Sequence, residues 1–317
     1  MRLINADDLD KRLDFPALID ALAEAFRGGF AAPTRHHYAI ERPGAATATQ
    51  LLMPAWTTGR RGEDAFIGAK IVSVFPDNAT RGLPAVHGLY VLQSGDTGAP
   101  LAAIDGTRLT LWRTAAASAL AARFLARSDA RRHLMVGAGA LAPFLIRAHR
   151  AVRPIAEVAI WNHRRAGAER LAAALARDGL RVAVADDLEA AARQADVISC
   201  ATLTTAPLIK GAWLRAGQHV DLVGAFNLQM REVDDEALKK ARVFIDTEAA
   251  LHEGGDVAAA LMSGAIEKAH VVADLAALCA GAKGRQGPDE ITLFKSVGSA
   301  IEDLAAAMLA WKRIGWE

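Results

Sequence analysis

The stretch "HLMVGAGALAP", residues 133–143, constrains this chain more than any other. An apolar run delivers Gly137 and Gly139, and Ala142-Pro143 then opens a helical pattern. In a G-x-G-x-x-G/A turn the first glycine permits the tight bend. The second lets backbone N–H groups reach a pyrophosphate at a helix N-terminus, where the dipole favours anions. Ala140 and Leu141 lie within that turn, and Pro143 fits because first-turn N–H groups have no intrahelical partner. The glycine spacing alone is weak, since a plain strand-to-helix turn uses the same letters. Its surroundings strengthen it. Strand "HLMVGAG", a helix from Ala140 to about Val152, strand "EVAIWN", helix "RAGAERLAAALAR", strand "VAVA", helix "LEAAARQA" and strand "DVISCAT" alternate, followed by "HVDLVGAF", helix "DDEALKKA" and strand "VFIDT". This βαβ rhythm predicts a Rossmann-type, doubly wound parallel sheet.

Such a sheet sorts its cofactors at the end of the second strand, where an acidic residue binds the ribose 2′-hydroxyl of NAD. This chain has "WNHRR" there. Asn162 replaces the carboxylate, while His163, Arg164 and Arg165 supply cations suited to a 2′-phosphate. NADP is therefore the expected cofactor, with NAD possible. A solvated helix start is the ordinary use of Arg164 and Arg165.

With 317 residues the chain exceeds what one core usually serves, so two domains are expected. Before the glycine turn, "FPALIDALAEAFRGGF" reads as a helix capped by Asp14, with Pro16 in its first turn and Gly28-Gly29 at its end. The runs "RHHYAI", "TQLLMPAW", "FIGAKIVSVF", "VHGLYVLQ" and "PLAAIDG" read as strands of an antiparallel sheet, and "LTLWRTAAASALAARFLAR" as a long helix. The tail "EITLFKSVGSAIEDLAAAMLAWKRIG" reads as a strand-like stretch and a helix that return to this first domain. The 37 basic and 36 acidic side chains nearly cancel, leaving no field to gather nucleic acid or an anionic membrane. Small molecules are the expected partners. No apolar run suits a signal peptide or membrane span. Cys200 and Cys279 form no redox or metal spacing, so a cytoplasmic protein with no metal site is expected.

Lys70 lies inside "FIGAKIVSVF", Arg113 inside "LTLWRTAAASA", and Arg35 at the head of "RHHYAI". Lysine is almost never buried unless paired. Three cations ending apolar elements of one domain suit a carboxylate-bearing substrate, because arginine offers a fork and lysine a point charge. For each one singly, an internal salt bridge or an edge-strand charge serves equally well. His36, His37 and His87 are acid/base candidates, although a lone histidine is more often structural.

Taken together, "GAKIVSVFPDNATRGLPAVHGLYVLQSGDTGAPLAAIDGTRLTLWRTAAASALAARFLAR", "VGAGALAP", "DVISCATLTTAPLI", "VDLVGAFNLQMREVDDE" and "EITLFKSVGSAIEDLAA" resemble the ornithine cyclodeaminase/μ-crystallin family along nearly the whole chain. The resemblance implies a substrate-binding and dimerising α+β domain over 1–115 plus 290–317, a Rossmann NAD(P)-binding domain over 116–289, and a homodimer. It implies that Arg35, Lys70 and Arg113 hold a substrate carboxylate, and that Thr202, Thr204, Val223, Ser296 and Val297 line the nicotinamide side. Members that deaminate ornithine or act as alanine dehydrogenases carry an aspartate after the glycine of "VDLVG". This chain continues Ala225, Phe226. A phenyl ring near the nicotinamide cannot hold an ammonium or move a proton. The form "VGAF…MRE" resembles the branch that reduces cyclic imino acids, the Δ1-pyrroline-2-carboxylate (ketimine) reductases, although Asn227-Leu228 stands where that branch carries Thr-Pro. The expected activity is thus NAD(P)H-dependent reduction of Δ1-pyrroline- or Δ1-piperideine-2-carboxylate to proline or pipecolate. Ornithine cyclodeamination, alanine-dehydrogenase-like chemistry and non-catalytic NADPH or ligand binding are the alternatives.

Overall fold

A computed structural model describes residues 1–177 and 179–313. The chain forms two compact units, Met1–Thr114 with the segment from Ser299 onward, and Ala115–Gly298. No helix among the described residues is long and apolar enough to cross a membrane.

The first unit is a seven-stranded sheet with helices on one face. Its strands are β1 (Arg2–Ile4), β2 (Phe30–Ala31), β3 (His36–Ile40), β4 (Ala48–Thr57), β5 (Phe66–Val74), β6 (Val86–Ser94) and β7 (Pro100–Asp105), in the order β1-β7-β6-β5-β4-β2 with β3 also on β4. All pairs are antiparallel except β1 with β7. The five expected strands are present; β1 and β2, only three and two residues long, carry too little pattern to be read. Helix α1 (Ala6–Arg12) opens with a capping box at Asn5 and Asp8, and α2 (Phe15–Arg27) starts at the Asp14 cap, worth about 1 kcal/mol. The long helix α3 (Gly106–Leu125) contains the unit boundary. The last helix, α10 (Ala300–Lys312), packs on α2 and on β4, β5 and β6; residues 314–317 lie outside the described chain. Alternation along the strands turns Met53, Lys70, Tyr90 and Ile104, one cross-strand row, toward these helices.

The second unit is an eight-stranded, wholly parallel sheet. Strands β8 (Arg132–Val136), β9 (Glu157–Trp161), β10 (Arg181–Val184), β11 (Val197–Cys200), β12 (His219–Leu222), β13 (Arg242–Ile245), β14 (Val271–Asp274) and β15 (Thr292–Lys295) are ordered β10-β9-β8-β11-β12-β15-β13-β14. Helices α4 (Ala142–Val152), α5 (Arg165–Ala176), α6 (Leu188–Gln194), α7 (Asp235–Lys240), α8 (Gly255–Met262) and α9 (Leu275–Cys279) intervene. Central strands β11, β12 and β15 are buried throughout, as strands covered on both faces must be.

Residues 290–298 do not return with the tail. Strand β15 inserts between β12 and β13, so the boundary lies at Gly298–Ser299. Four residues whose one charged member, Lys295, is itself buried gave no alternation to separate a tail strand from an interior one.

Candidate functional site

In the second unit the chain leaves β8 at Val136, and strand order reverses between β8 and β11, the switch point at which open parallel sheets take ligands. Gly137 has φ 106°, which L side chains rarely adopt, and a Cβ there would sit 2.6 Å from the Ala201 carbonyl oxygen. At Gly139 the reason differs: a Cβ would meet nothing within 4 Å. The protein's own packing does not demand glycine there, so the open space fits close approach by something else. No side chain caps α4. Among the described residues no acceptor meets the N–H groups of Gly139, Ala140 and Leu141. A pyrophosphate suits this cradle.

The register carries the same edge across the sheet. Val136, Cys200, Leu222 and Lys295 share one row of β8, β11, β12 and β15. The chain leaves these four neighbouring strands through Gly137, Thr202, Val223 and Ser296, so residues drawn from four distant stretches of sequence come to one C-terminal edge. The Thr204 hydroxyl donates to the Ala206 carbonyl at 2.7 Å. Val297 and Gly298 donate backbone N–H groups to Asp246 at 2.7 and 2.6 Å. Phe226 stands 47% exposed on the loop after β12. At the end of β9, Asn162 spends its amide N–H on the Arg164 carbonyl at 2.8 Å, and no carboxylate takes its place. Arg165 is engaged by Glu169 and Asp186, whereas His163 and Arg164 are exposed with no side-chain partner among the described residues.

In the first unit Lys70 and Arg113 do meet anions, and these belong to the protein. Lys70 is 2% exposed; its Nζ lies 2.7 Å from Asp303 and donates to the Thr110 hydroxyl at 3.3 Å. Arg113 donates from Nε to Asp303 at 3.0 Å and from Nη1 to Glu302 at 2.8 Å. Burial, reinforced by the neighbouring Arg113 charge, lowers the Lys70 pKa to about 8 against the opposing pull of Asp303. Burial tends to raise the Asp303 carboxyl, but Lys70 and Arg113 outweigh it and hold the pKa below its ordinary value. Arg35 directly precedes β3. The pairings His36–Leu52 and Met53–Lys70 therefore bring Arg35 to the row of Lys70, two strands away. His36, His37 and His87 are exposed.

Several functional candidates escaped the sequence reading. Glu302 and Asp303 sit in "AIEDLAAAM", charges flanked by apolar residues on both sides, the signal that had already marked Lys70. Asp246 directly follows β13, and Glu232, Asp256 and Lys295 are each fully buried. A second polar cluster braces the parallel sheet. Asp221 accepts from Ser118 at 2.8 Å and from Ser199 at 2.9 Å and pairs with His149 at 3.1 Å, while His133 meets Ser199 at 2.9 Å.

The profile described as the ornithine cyclodeaminase/mu-crystallin family matches residues 6–315. A Δ1-pyrroline-2-carboxylate reductase of Paracoccus denitrificans is 43% identical over 83% of each chain. A solved structure of Thermococcus litoralis Δ1-pyrroline-2-carboxylate reductase, in complex with NADH and L-proline, superposes with TM-score 0.92 at 33% identity, covering 99% of this chain and 97% of that one. An archaeal alanine dehydrogenase dimer with bound NAD follows with TM-score 0.89 at 31% identity, covering 99% and 95%. A profile match over nearly the whole chain and a relative at 43% identity place it: the chain belongs to the ornithine cyclodeaminase/mu-crystallin family.

Proposed function

We propose that the protein is an NAD(P)H-dependent oxidoreductase that reduces a cyclic imino acid, Δ1-pyrroline-2-carboxylate or Δ1-piperideine-2-carboxylate, to proline or pipecolate. The observation that carries this reading is the absence of an available acid on the loops after β11 and β12. Phe226 is exposed where the family resemblance implies an aspartate in deaminating members, and Glu232, the carboxylate bonded to both loops, is spent on four protein donors. A substrate whose carbon–nitrogen double bond is already formed needs no such acid. The relatives named as pyrroline-2-carboxylate reductases support the same assignment.

Gly137, Gly139, Ala140 and Leu141 would hold the cofactor pyrophosphate; Thr202, Thr204, Val223, Phe226, Ser296 and Val297 would surround its nicotinamide half. Bound there, the cofactor supplies the hydride. His163 and Arg164, with Asn162 in place of an acid, favour NADP over NAD. Arg113, Lys70 and Arg35 bind the substrate carboxylate and orient the imine, the main contribution expected of positioning groups. Lys70 is the cation of the three that can also release a proton near neutral pH. The first unit, residues 1–114 with the segment from 299, is assigned the substrate and a homodimer contact. Its sheet face opposite α10 carries exposed Leu3, Trp56 and Leu89, which a second copy would cover. Two buried cysteine thiols suit a reducing, cytoplasmic setting.

The test is loss of nicotinamide absorbance with each imine and each cofactor, beside ammonia release from ornithine. Imine-dependent oxidation, faster with NADPH and without ammonia from ornithine, is the expected result. Ammonia release without imine reduction would overturn the reading, and tight NADPH binding without turnover of any imino or keto acid would favour a binding protein.

A further inference from the structure

We propose that Glu232 is a positioning residue that fixes the two strand-end loops taking the nicotinamide half of the cofactor; this rests on the cofactor assignment above. Its side chain is wholly buried. Oε1 accepts from the Thr202 backbone N–H and from the Thr202 hydroxyl, both at 2.7 Å. Oε2 accepts from the N–H groups of Gly224 at 2.7 Å and Ala225 at 3.3 Å. One carboxylate thus ties the loop after β11 to the loop after β12. Oε2 faces only N–H donors, which suits the ionised form, an acceptor at both oxygens.

Two further observations show that the arrangement is built for this carboxylate. At Gly224 a Cβ would collide with the Thr202 backbone and with the Glu232 carboxylate, so glycine keeps the two loops in contact. Glu232 is in turn held in place, because Asp256 Oδ1 accepts its backbone N–H at 2.7 Å and that of Val233 at 3.1 Å. The other Asp256 oxygen lies 3.3 Å from Lys295 Nζ, on the strand that leads into Ser296 and Val297. The ends of β11, β12 and β15 are therefore joined through one buried ionic chain. Apolar packing can match a buried ion network for stability alone. What apolar side chains cannot do is set three backbone N–H groups and a hydroxyl in fixed directions.

Binding of whole and truncated cofactors tests the proposal, without requiring turnover. NADPH and NADH are compared with 2′-phospho-ADP-ribose and ADP-ribose, which keep the pyrophosphate and lack the nicotinamide. Glu232→Gln turns an amide group toward N–H donors. It should weaken NADPH and NADH by about tenfold while leaving both truncated ligands within about twofold. Amide exchange at Thr202, Gly224 and Ala225 should quicken in the same variant, with β11 and β12 themselves unchanged. Equal weakening of whole and truncated ligands, exchange quickened throughout both strands, or no change at all would overturn the proposal. If Glu232→Gln does not fold, Thr202→Val removes one of the four donors and leaves the carboxylate in place. A loss of about threefold confined to the whole cofactors is then expected, and its absence overturns the proposal. Wild-type protein that binds neither dinucleotide would instead bring down the cofactor assignment itself.

Discussion

At the scale of a single residue, Lys70 carries the sharpest consequence. Burial and Arg113 bring its pKa to about 8 from the ordinary 10.5, so above pH 8 the ammonium gives up its proton while Arg113 keeps its charge. A substrate carboxylate then meets a weaker clamp. KM for the imino acid is expected to hold level up to about pH 8 and to rise beyond it. Stability moves the other way. From about pH 8 to 10.5 the unfolded chain binds a proton that the folded one does not, so this group's contribution increases with pH. A rising KM in a protein that shows no loss of melting temperature over that range separates the two effects. Lys70→Met should remove the inflection and lower kcat/KM about a hundredfold with cofactor affinity kept.

At the scale of the element, the turn between β8 and α4 contains two glycines with different physical justifications, and substitution separates them. Gly137→Ala meets both a positive φ and the Ala201 carbonyl, so it should lower the melting temperature by the equivalent of about 1–3 kcal/mol. Gly139→Ala meets open space and should leave melting unchanged while weakening dinucleotide binding. Equal melting losses in both would show that position 139 serves folding alone. The turn was legible because its glycines lie in the sequence beside the strand and helix they join. The α2 cap at Asp14, the five longer strands of the first sheet and the βαβ rhythm were legible on the same local grounds. The stretch of β15 read as strand-like, but its place did not: four residues adjoin both β12 and β13 from across long stretches of chain, and nothing in "TLFK" names its neighbours. The same limit hid Glu302 and Asp303. An Ala-rich helix announces its burial, but not which cations it faces. Lys70 was recognisable as a lysine needing an anion; that α10 supplies one emerges only from the packed sheet.

Over the whole molecule the two units differ in how they bury polar groups, and this sets their response to acid. The first unit holds its charged pairs between β5, α3 and α10, and its histidines 36, 37 and 87 are exposed. The second buries His133, His149 and His219 completely. Burial drives the His219 pKa from 6.5 to about 3 and that of His133 well below its ordinary value, with the neighbouring imidazole of His149 adding to both. A group protonated in the unfolded chain near pH 6.5 but kept neutral when folded contributes stability above that pH and loses it as the pH falls. The slope reaches at most about 1.4 kcal/mol per pH unit for each imidazole. Asp221, held below the ordinary carboxylate range by His149 and Ser118 despite its burial, stays charged through that window, as does Asp303 in the first unit. Between pH 6.5 and 4 the loss therefore falls on the second unit. Calorimetry over that range is expected to show the transition assigned to residues 115–298 moving to lower temperature first. His219→Gln, which keeps a hydrogen-bonding side chain opposite Thr292 but cannot be protonated, should flatten that shift. An unchanged acid profile in this variant would show that His219 does not set the acid limit.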